Sequence, residues 1–270
     1  MGEDIGWIRH EKSKSCFSNR FLLDYRIYRM EKMCYNQYMD HVKEGDEVIR
    51  AVIFDLEGVL VSTEKSHFRA WKQMTMEQGL PFDEKVYQKI RGSGRMDALD
   101  IILKTAHRNY SPAEKFALTA RKNDLYMEEI ALLSSEQMLP GTLDTIQRLK
   151  EMDVKTGVVS SSKNCIAILK KLGIYRMMNA VVDGNDVTHP EPDPEGCLLC
   201  AQMLGVSPGE CLMIEDTMNG ITAANQAGMY TLAVGEAANE KNAGMCAKDL
   251  KQFDVPGLIA CRTIKDKSNH

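Results

Sequence analysis

A chain of 270 residues, 44% of them hydrophobic, can bury a sizeable core and fits one domain with an insertion or two small domains. Its 38 Asp and Glu outnumber its 34 Lys and Arg, and the formal charge of −4 argues against a nucleic-acid surface or an anionic membrane as partner. No apolar stretch approaches the roughly 18 residues of a membrane span, and the charged N-terminus lacks the apolar region of a secretory signal. We expect a cytoplasmic protein that binds neither nucleic acid nor membranes, and we expect it to act as a monomer.

The eight cysteines are scattered, and most of them lie within apolar periodic segments. This distribution is typical of reduced, buried thiols in a cytosolic protein. Cys197 and Cys200 have the spacing of half a zinc site, but no second pair follows them. Their spacing also places them on one face of a helix, and this helical interpretation is favoured.

The first 47 residues differ in character from the rest of the chain. They are rich in charge and tyrosine, contain a loosely helical segment near residues 21–38 and carry no motif. A docking helix, a disordered extension and an upstream reading artefact all remain compatible with this segment.

A short apolar run from Ala51 to Phe54 ends in Asp55 and predicts a fully buried parallel strand. A carboxylate at the C-terminal end of such a strand lies where open α/β sheets bind their ligands. It can attack phosphorus covalently when a metal ion offsets the repulsion between anions. Taken alone, the run is equally compatible with this chemistry and with a purely structural role, as a buried strand that ends in an acidic turn.

Helices are predicted next. An amphipathic helix is expected at about residues 66–78, and the segment after it is helical throughout. Ser111 and Glu114 form a capping box around Pro112, and this signal predicts a long helix that runs to about Leu133. The Pro-Gly pair at residues 140–141 then interrupts the chain.

The remaining elements alternate. Helices are predicted at residues 142–152 and 220–227, and another is predicted to begin near residue 163. A further helix is predicted with Asp193 as N-cap and Pro194 as its first residue. Strands are predicted at 155–160, 181–183, 211–215 and 230–234. This alternation predicts a doubly wound parallel sheet. The helices of residues 66–135 interrupt it and are expected to form a cap domain, with residues 48–65 and 136–265 as the core domain.

Several of these strands end in polar residues, and the carboxyl ends of parallel strands meet at one edge of a sheet. The sequence SSSKN, residues 160–164, lies at a helix start, where hydroxyls and free backbone N–H groups hold phosphate well. Glu215 and Asp216 form a paired acidic end suited to a hard cation such as Mg²⁺. Each end alone is explained by a helix cap or an acidic turn, but their joint occurrence predicts a phosphate and metal site.

The chain resembles the haloacid dehalogenase superfamily, and within it the β-phosphoglucomutase-like branch, over about residues 48–260. The motifs that carry the resemblance are FDLEGV (54–59), HFRAWK (67–72), RGSGR (91–95), RKND (121–124), SSSKN (160–164) and IED (214–216) with GI (220–221) and AA (223–224). The resemblance implies a Rossmann-like core, a helical cap that closes over the site, and Mg²⁺. It also implies conversion of β-glucose 1-phosphate to glucose 6-phosphate through a bisphosphorylated intermediate.

The resemblance assigns roles to the core residues. Asp55 is implied to be the nucleophile that becomes an aspartyl phosphate. Mg²⁺ is implied to be held by Asp55, the backbone carbonyl of Glu57 and Asp216, with Glu215 beside them. The transferring phosphoryl group and the substrate are implied to be held by Ser160, Ser161 and Asn164.

The resemblance also assigns roles to the cap. Arg95 and Lys122 are implied to bind the distal phosphate of the sugar. His67, Trp71 and the loop from Gly92 to Arg95 are implied to shape the sugar pocket. Without the resemblance, solvated helix charges and a plain core tryptophan are the simpler interpretation of these residues.

Two positions depart from the family pattern. Glu57 stands where the family usually has the aspartate that exchanges a proton with the sugar hydroxyl, and a misplacement of about 1 Å can cost on the order of 100-fold in rate. Glu191 stands where the family has a lysine that bridges nucleophile and phosphate, so the charge there is reversed. His189 replaces that lysine only if its loop moves.

We therefore expect a β-phosphoglucomutase-like phosphotransferase that uses Mg²⁺ and a sugar phosphate, and that is slower than its relatives because of Glu57 and Glu191. Two alternatives remain. One is a sugar-phosphate phosphatase, in which Glu57 positions water. The other is a non-catalytic sugar-phosphate-binding protein, in which Glu191 has abolished turnover.

Overall fold

The computed structural model describes residues 48–106, 108–239 and 241–259. The predicted N-terminal extension lies outside these residues, as do Cys16, Cys34 and Cys261. Within the described part of the chain, no helix is long and apolar enough to cross a membrane.

Six parallel strands form one sheet in the order β3-β2-β1-β4-β5-β6. Their bounds are β1 Ala51–Asp55, β2 Lys155–Val159, β3 Ala180–Val182, β4 Cys211–Glu215, β5 Tyr230–Ala233 and β6 Met245–Cys246. Every residue of β1 and β4 is buried, as their continuous apolar runs predict for central strands of a parallel sheet. The predicted doubly wound α/β fold is confirmed.

The first four helices after β1 are called here the helical block. They are α1 Glu64–Glu77, α2 Glu84–Ile90, α3 Arg95–Leu103 and α4 Pro112–Ala131. The predicted capping box at the start of α4 is present, since the Ser111 hydroxyl accepts from the Glu114 backbone and the Glu114 carboxylate accepts from the Ser111 backbone. Within the block, α1 and α4 pack against each other most extensively. Two ion pairs also join these helices: Arg121 with Glu77, and Arg69 with Glu129.

Four further helices follow the block, the first of them before β2 and the others between later strands: α5 Thr142–Glu151, α6 Cys165–Lys171, α7 Glu195–Leu204 and α8 Met218–Gln226. The prediction that Asp193 is the N-cap of α7 with Pro194 inside the helix was wrong. The helix begins at Glu195, and Pro194 is the cap. Asp193 lies one residue further out and accepts a hydrogen bond from the Glu195 backbone at 2.9 Å, so it closes the preceding turn.

Strand register determines where the polar strand ends lie. Asp55 is opposite Val159 on β2, and Phe54 is opposite Ile214 on β4. The residues that follow these strands therefore emerge at the same edge of the sheet, on the two sides of β1.

Candidate active site

Three carboxylates form an acidic centre at this edge. Asp55 ends β1, Glu215 ends β4 and Asp216 follows it; their ligand oxygens lie within 4.8 Å of one another. Asp55 is 9% exposed and Glu215 only 1%. The structure thus brings together the acidic residues that the sequence placed at separate strand ends.

Two glycines allow the carboxylates to approach so closely. Gly58 has φ +78°, and a Cβ atom added to it would lie 1.8 Å from Oδ2 of Asp216. A Cβ atom on Gly220 would lie 1.7 Å from Oε2 of Glu215. A larger residue at either position would displace a carboxylate of the centre.

The acidic centre has an excess of negative charge. Burial, together with Glu215, Glu191 and Asp216, raises the pKa of Asp55 well above its usual range. Burial and Glu191 raise the pKa of Glu215 to about 8, against a hydrogen bond from Thr217. Such repulsion between buried carboxylates is relieved by a cation.

The Asp216 carboxylate is also affected by its surroundings. Burial, Glu236 and Glu57 raise the pKa of Asp216 to about 6, while the guanidinium of Arg91 acts in the opposite direction. Arg91 belongs to the helical block, so a charge of that block reaches the acidic centre.

Glu191 lies beside Asp55 and Glu215, as its effect on the pKa of both shows. It is half-buried, and burial raises its own pKa. Among the residues that the structure describes, no Lys, Arg or His forms an ion pair with Glu191 or with the acidic centre. His189 does not compensate, because its ring is exposed and its Nδ1 lies 3.0 Å from Oε2 of Glu195.

The donor set of the acidic centre fits Mg²⁺, since it consists of close, buried carboxylate oxygens. The Glu57 side chain is not part of this cluster. Its backbone carbonyl stays a predicted ligand. The exposed His189 and Asp193 and the half-buried Glu195 form a second group of potential ligands, held by hydrogen bonds within their own segment of the chain.

The SSSKN loop lies on the other side of β1, after β2. Ser160 is 4% exposed, and its hydroxyl accepts a hydrogen bond from the Ser162 backbone at 3.2 Å. Ser161 is exposed. The Asn164 side chain donates to the Asn123 side chain of α4 at 3.0 Å, so this loop contacts the helical block.

Glu57 is held by a hydrogen-bonded network. Thr63 Oγ1 donates to its carboxylate at 2.6 Å, and the Tyr126 hydroxyl lies 2.9 Å from Thr63 Oγ1. Burial alone would raise the pKa of Glu57, but the nearby His67 and hydrogen bonds from Thr63 hold it below its ordinary value. Glu57 is therefore a carboxylate at neutral pH.

Sequence reasoning missed Thr63 and Tyr126. Tyr126 lies one helical turn after Lys122, on the same face of α4, and this spacing was the available signal. Thr63 precedes α1 without a side-chain cap bond and carries no motif.

Lys122 and His67 extend this network. Lys122 Nζ lies 2.8 Å from Nδ1 of His67, and Nε2 of His67 lies 3.8 Å from Oε1 of Glu57. The His67 ring stacks on Tyr126 with centroids 4.1 Å apart. Because burial, Lys122 and Arg95 lower the pKa of His67 against the effect of Glu57, the ring is neutral at pH 7. For a neutral ring, the tautomer that suits both neighbours has Nδ1 accepting from Lys122 Nζ and Nε2–H facing Glu57.

Lys122 is an unusual lysine, because it is only 2% exposed. Its Nζ lies 5.2 Å from the centre of the Trp71 ring and 4.6 Å from that of Tyr126. Burial and Arg95 lower its pKa to about 7. Trp71 is itself 4% exposed, so it supports Lys122 from within the block.

Arg95 begins α3 and is half-buried, and burial lowers its pKa. The loop before it contains Gly92, whose φ is +73°. Arg95 acts electrostatically on both His67 and Lys122, which shows that these three side chains of the block lie near one another.

Cys197 and Cys200 are buried and free, and they belong to neither group of potential ligands found among the described residues. Burial raises the pKa of the Cys197 thiol to about 12.

The chain is similar to several characterised proteins. The family model for haloacid dehalogenase-like hydrolases matches residues 49–228. A β-phosphoglucomutase of Bacillus subtilis (strain 168) is 40% identical over 190 residues, which are 70% of this chain and 84% of that protein. A fructose-1-phosphate phosphatase of Escherichia coli (strain K12) is 33% identical over 186 residues, which are 68% of this chain and 95% of that protein.

Among solved structures, a crystal structure of β-phosphoglucomutase from Clostridium difficile is 32% identical, with a TM-score of 0.69. The similarity covers 81% of this chain and 99% of that one. The residues that the family model matches include β1 to β4, and so the whole acidic centre and Glu191.

Proposed function

Because the chain belongs to the haloacid dehalogenase-like hydrolase family, we propose that it is a Mg²⁺-dependent phosphotransferase that interconverts β-glucose 1-phosphate and glucose 6-phosphate. The observation that carries the proposal is the position of Asp55, buried at the end of a central strand, with ligand oxygens of Glu215 and Asp216 within 4.8 Å. The similarity to the Bacillus subtilis β-phosphoglucomutase supports the choice of substrate.

Asp55, Glu215, Asp216 and the backbone carbonyl of Glu57 are the proposed ligands of Mg²⁺. A bound Mg²⁺ offsets the repulsion between these carboxylates and the oxygens of a phosphoryl group. The two glycines that let the carboxylates approach each other, Gly58 and Gly220, support this assignment.

In the proposed reaction, a carboxylate oxygen of Asp55 forms a bond to phosphorus, and the bond between phosphorus and the donor oxygen breaks. The product is an aspartyl phosphate. Ser160 and Ser161 are proposed to bind the phosphoryl oxygens, and Asn164 is proposed to bind the substrate.

Glu57 is the proposed acid/base. It accepts the proton of the attacking sugar hydroxyl while that oxygen bonds to phosphorus and Asp55 leaves as a free carboxylate. The Thr63 and Tyr126 hydroxyls orient Glu57, and the neutral His67 presents an N–H to it. The low pKa of Glu57 keeps it deprotonated for this step but makes it a weak base.

Arg95 and Lys122 are proposed to bind the phosphate that is not transferred. Both lie in the helical block, which we propose to act as the cap, residues 66–135. Glu191 is proposed to slow the reaction, since it places a further carboxylate beside Asp55 where a cation would assist phosphoryl transfer.

The experiment that tests the proposal is an assay of the purified full chain with β-glucose 1-phosphate, Mg²⁺ and a trace of the bisphosphate. Appearance of glucose 6-phosphate that stops with EDTA supports a mutase. Release of inorganic phosphate without glucose 6-phosphate supports the phosphatase alternative, which the 33% identity to a fructose-1-phosphate phosphatase favours. Substrate binding with neither product supports a non-catalytic protein, which the unpaired Glu191 favours.

Replacing Arg95 with alanine is expected to weaken sugar-phosphate binding by roughly 10- to 100-fold, the range of a charge-assisted hydrogen bond. Binding of inorganic phosphate, which occupies only the transfer site, is expected to change little. Calorimetric titration of both ligands measures the difference, and equal losses for both would refute the role. Arg69→Ala, which removes a cation elsewhere in the block, is the matched control.

Sugar-phosphate affinity is expected to fall as the pH rises from about 7 to 9. The pKa of Lys122 is lowered to about 7, so its ammonium loses its proton in this range, whereas the phosphate is already a dianion. Lys122→Met removes the charge at every pH, and its affinity is expected to be low and to change less with pH than that of the wild type, although Glu215 also titrates in this range. Titrations of both proteins across this range measure the effect. An equal slope in the two would show that Lys122 does not bind phosphate.

A further inference from the structure

Arg91 connects two helices of the helical block and also links the block to the turn after β5. It lies at the C-terminal end of α2, and its Nε is 3.1 Å from Oε1 of Glu64. Its Nη2 is 2.7 Å from Oε1 of Glu236, which lies in the turn Gly235–Asn239 after β5. One guanidinium therefore spans two carboxylates that are far apart in sequence, a geometry for which its planar fork of donors is suited.

Glu236 is adjacent to the acidic centre. A Cβ atom on the preceding residue, Gly235, would lie 3.6 Å from the Cβ of Asp216, and β5 is the neighbour of β4 in the sheet. On the opposite side of β1, Asn123 of the block is bonded to Asn164 after β2. The helical block is thus held at two points that flank the acidic centre.

The loop of residues 92–95 follows Arg91 directly, and few contacts restrain its first residues. Gly92 has positive φ, and a Cβ atom there would meet nothing within 4 Å. Within the loop, the Ser93 backbone donates to the Ile90 carbonyl at 3.1 Å. Arg95, the last residue of this loop and the first of α3, is thus only a few residues from Arg91 in sequence.

We propose that Arg91 is a positioning residue: clamped between Glu64 and Glu236, it fixes the position of the loop of residues 92–95 and so sets the affinity for the sugar phosphate. The effect on affinity rests on the proposed function, whereas the effect on the loop does not. Both ion pairs are partly exposed, so the clamp is weak enough to open and close during a catalytic cycle.

The test uses the full chain with Arg91→Ala, Arg91→Lys and Glu236→Gln. Amide hydrogen exchange of peptides that contain residues 92–95 is expected to quicken in Arg91→Ala and Glu236→Gln. The KM for β-glucose 1-phosphate is expected to rise roughly 3- to 10-fold, with kcat nearly unchanged, because two partly exposed ion pairs support an effect of that size. Arg91→Lys keeps the charge without the fork and is expected to recover part of both changes.

Salt provides a second measurement. At about 1 M ionic strength, where the Debye length is about 3 Å, the wild type is expected to show the faster exchange of the loop, and Arg91→Ala is expected to show no further change. Arg69→Ala breaks an ion pair of similar geometry inside the block and is expected to leave the exchange of the loop unchanged.

Unchanged exchange of residues 92–95 in Arg91→Ala, in a protein with the wild-type melting temperature, would overturn the proposal. Quickened exchange in a protein without turnover would uphold the clamp and reject the proposed function. An equal quickening in Arg69→Ala would also overturn the proposal, since the effect would then be a general loosening of the helical block.

Discussion

Glu191→Lys is expected to raise the rate of phosphoryl transfer from β-glucose 1-phosphate at least about 100-fold. Glu191 is close enough to Asp55 and Glu215 to raise the pKa of both. A close pair of like charges costs about 4 kcal/mol at an effective dielectric constant near 20, and a lysine turns this repulsion into attraction. Recovery of about 3 kcal/mol in the transition state already corresponds to the expected factor.

Steady-state rates of the wild type, Glu191→Gln and Glu191→Lys separate the effect of removing the negative charge from the effect of adding a positive one. Glutamine removes the negative charge without adding a positive one, so its rate is expected to lie between the other two. Glu57→Asp is expected to add a gain of its own by shortening the acid/base, although the two sites lie near one phosphoryl group and their effects need not add. A wild type whose rate the lysine variant cannot improve would show that another cation already serves the site.

Asp216→Ala is expected to reduce the affinity for Mg²⁺ by more than about 100-fold. Loss of a residue that only supports a metal ligand costs 10- to 100-fold, and here a proposed ligand itself is lost. Calorimetric titration with Mg²⁺ measures the affinity directly. Unchanged affinity would rule out the acidic centre as the metal site.

A loss of binding in this variant must be distinguished from unfolding. Without metal, Asp216→Ala is expected to melt at a temperature equal to or above that of the wild type, since it removes one of several mutually repelling carboxylates. Glu195→Ala, in the second group of potential ligands with His189 and Asp193, is the control and is expected to keep the Mg²⁺ affinity of the wild type.

The sequence predicted the sheet well because its signals are local. A buried parallel strand is a continuous apolar run, and β4 was predicted at its observed bounds. The predicted resemblance to the haloacid dehalogenase superfamily and its β-phosphoglucomutase-like branch is likewise confirmed. In contrast, β6 was missed, since Met245 and Cys246 are too few for any periodicity.

The candidate site was only partly predictable. Asp55, Glu215 and Asp216 follow apolar runs, so their convergence follows from strand order alone. The contacts of Arg91 and of Thr63 depend on how the helical block lies against the sheet, which no local pattern encodes. The roles proposed for the site residues stay predictions until the variants above are measured.

The sheet has a consequence for handling the protein. Its two outermost strands are its shortest, with three residues in β3 and two in β6, while the long apolar strands lie inside. A short outer strand offers few unpaired backbone groups to another chain, and natural proteins avoid edge-to-edge aggregation in this way. Edge-to-edge aggregation through the sheet of the described residues is therefore disfavoured when the protein is concentrated for calorimetric titration.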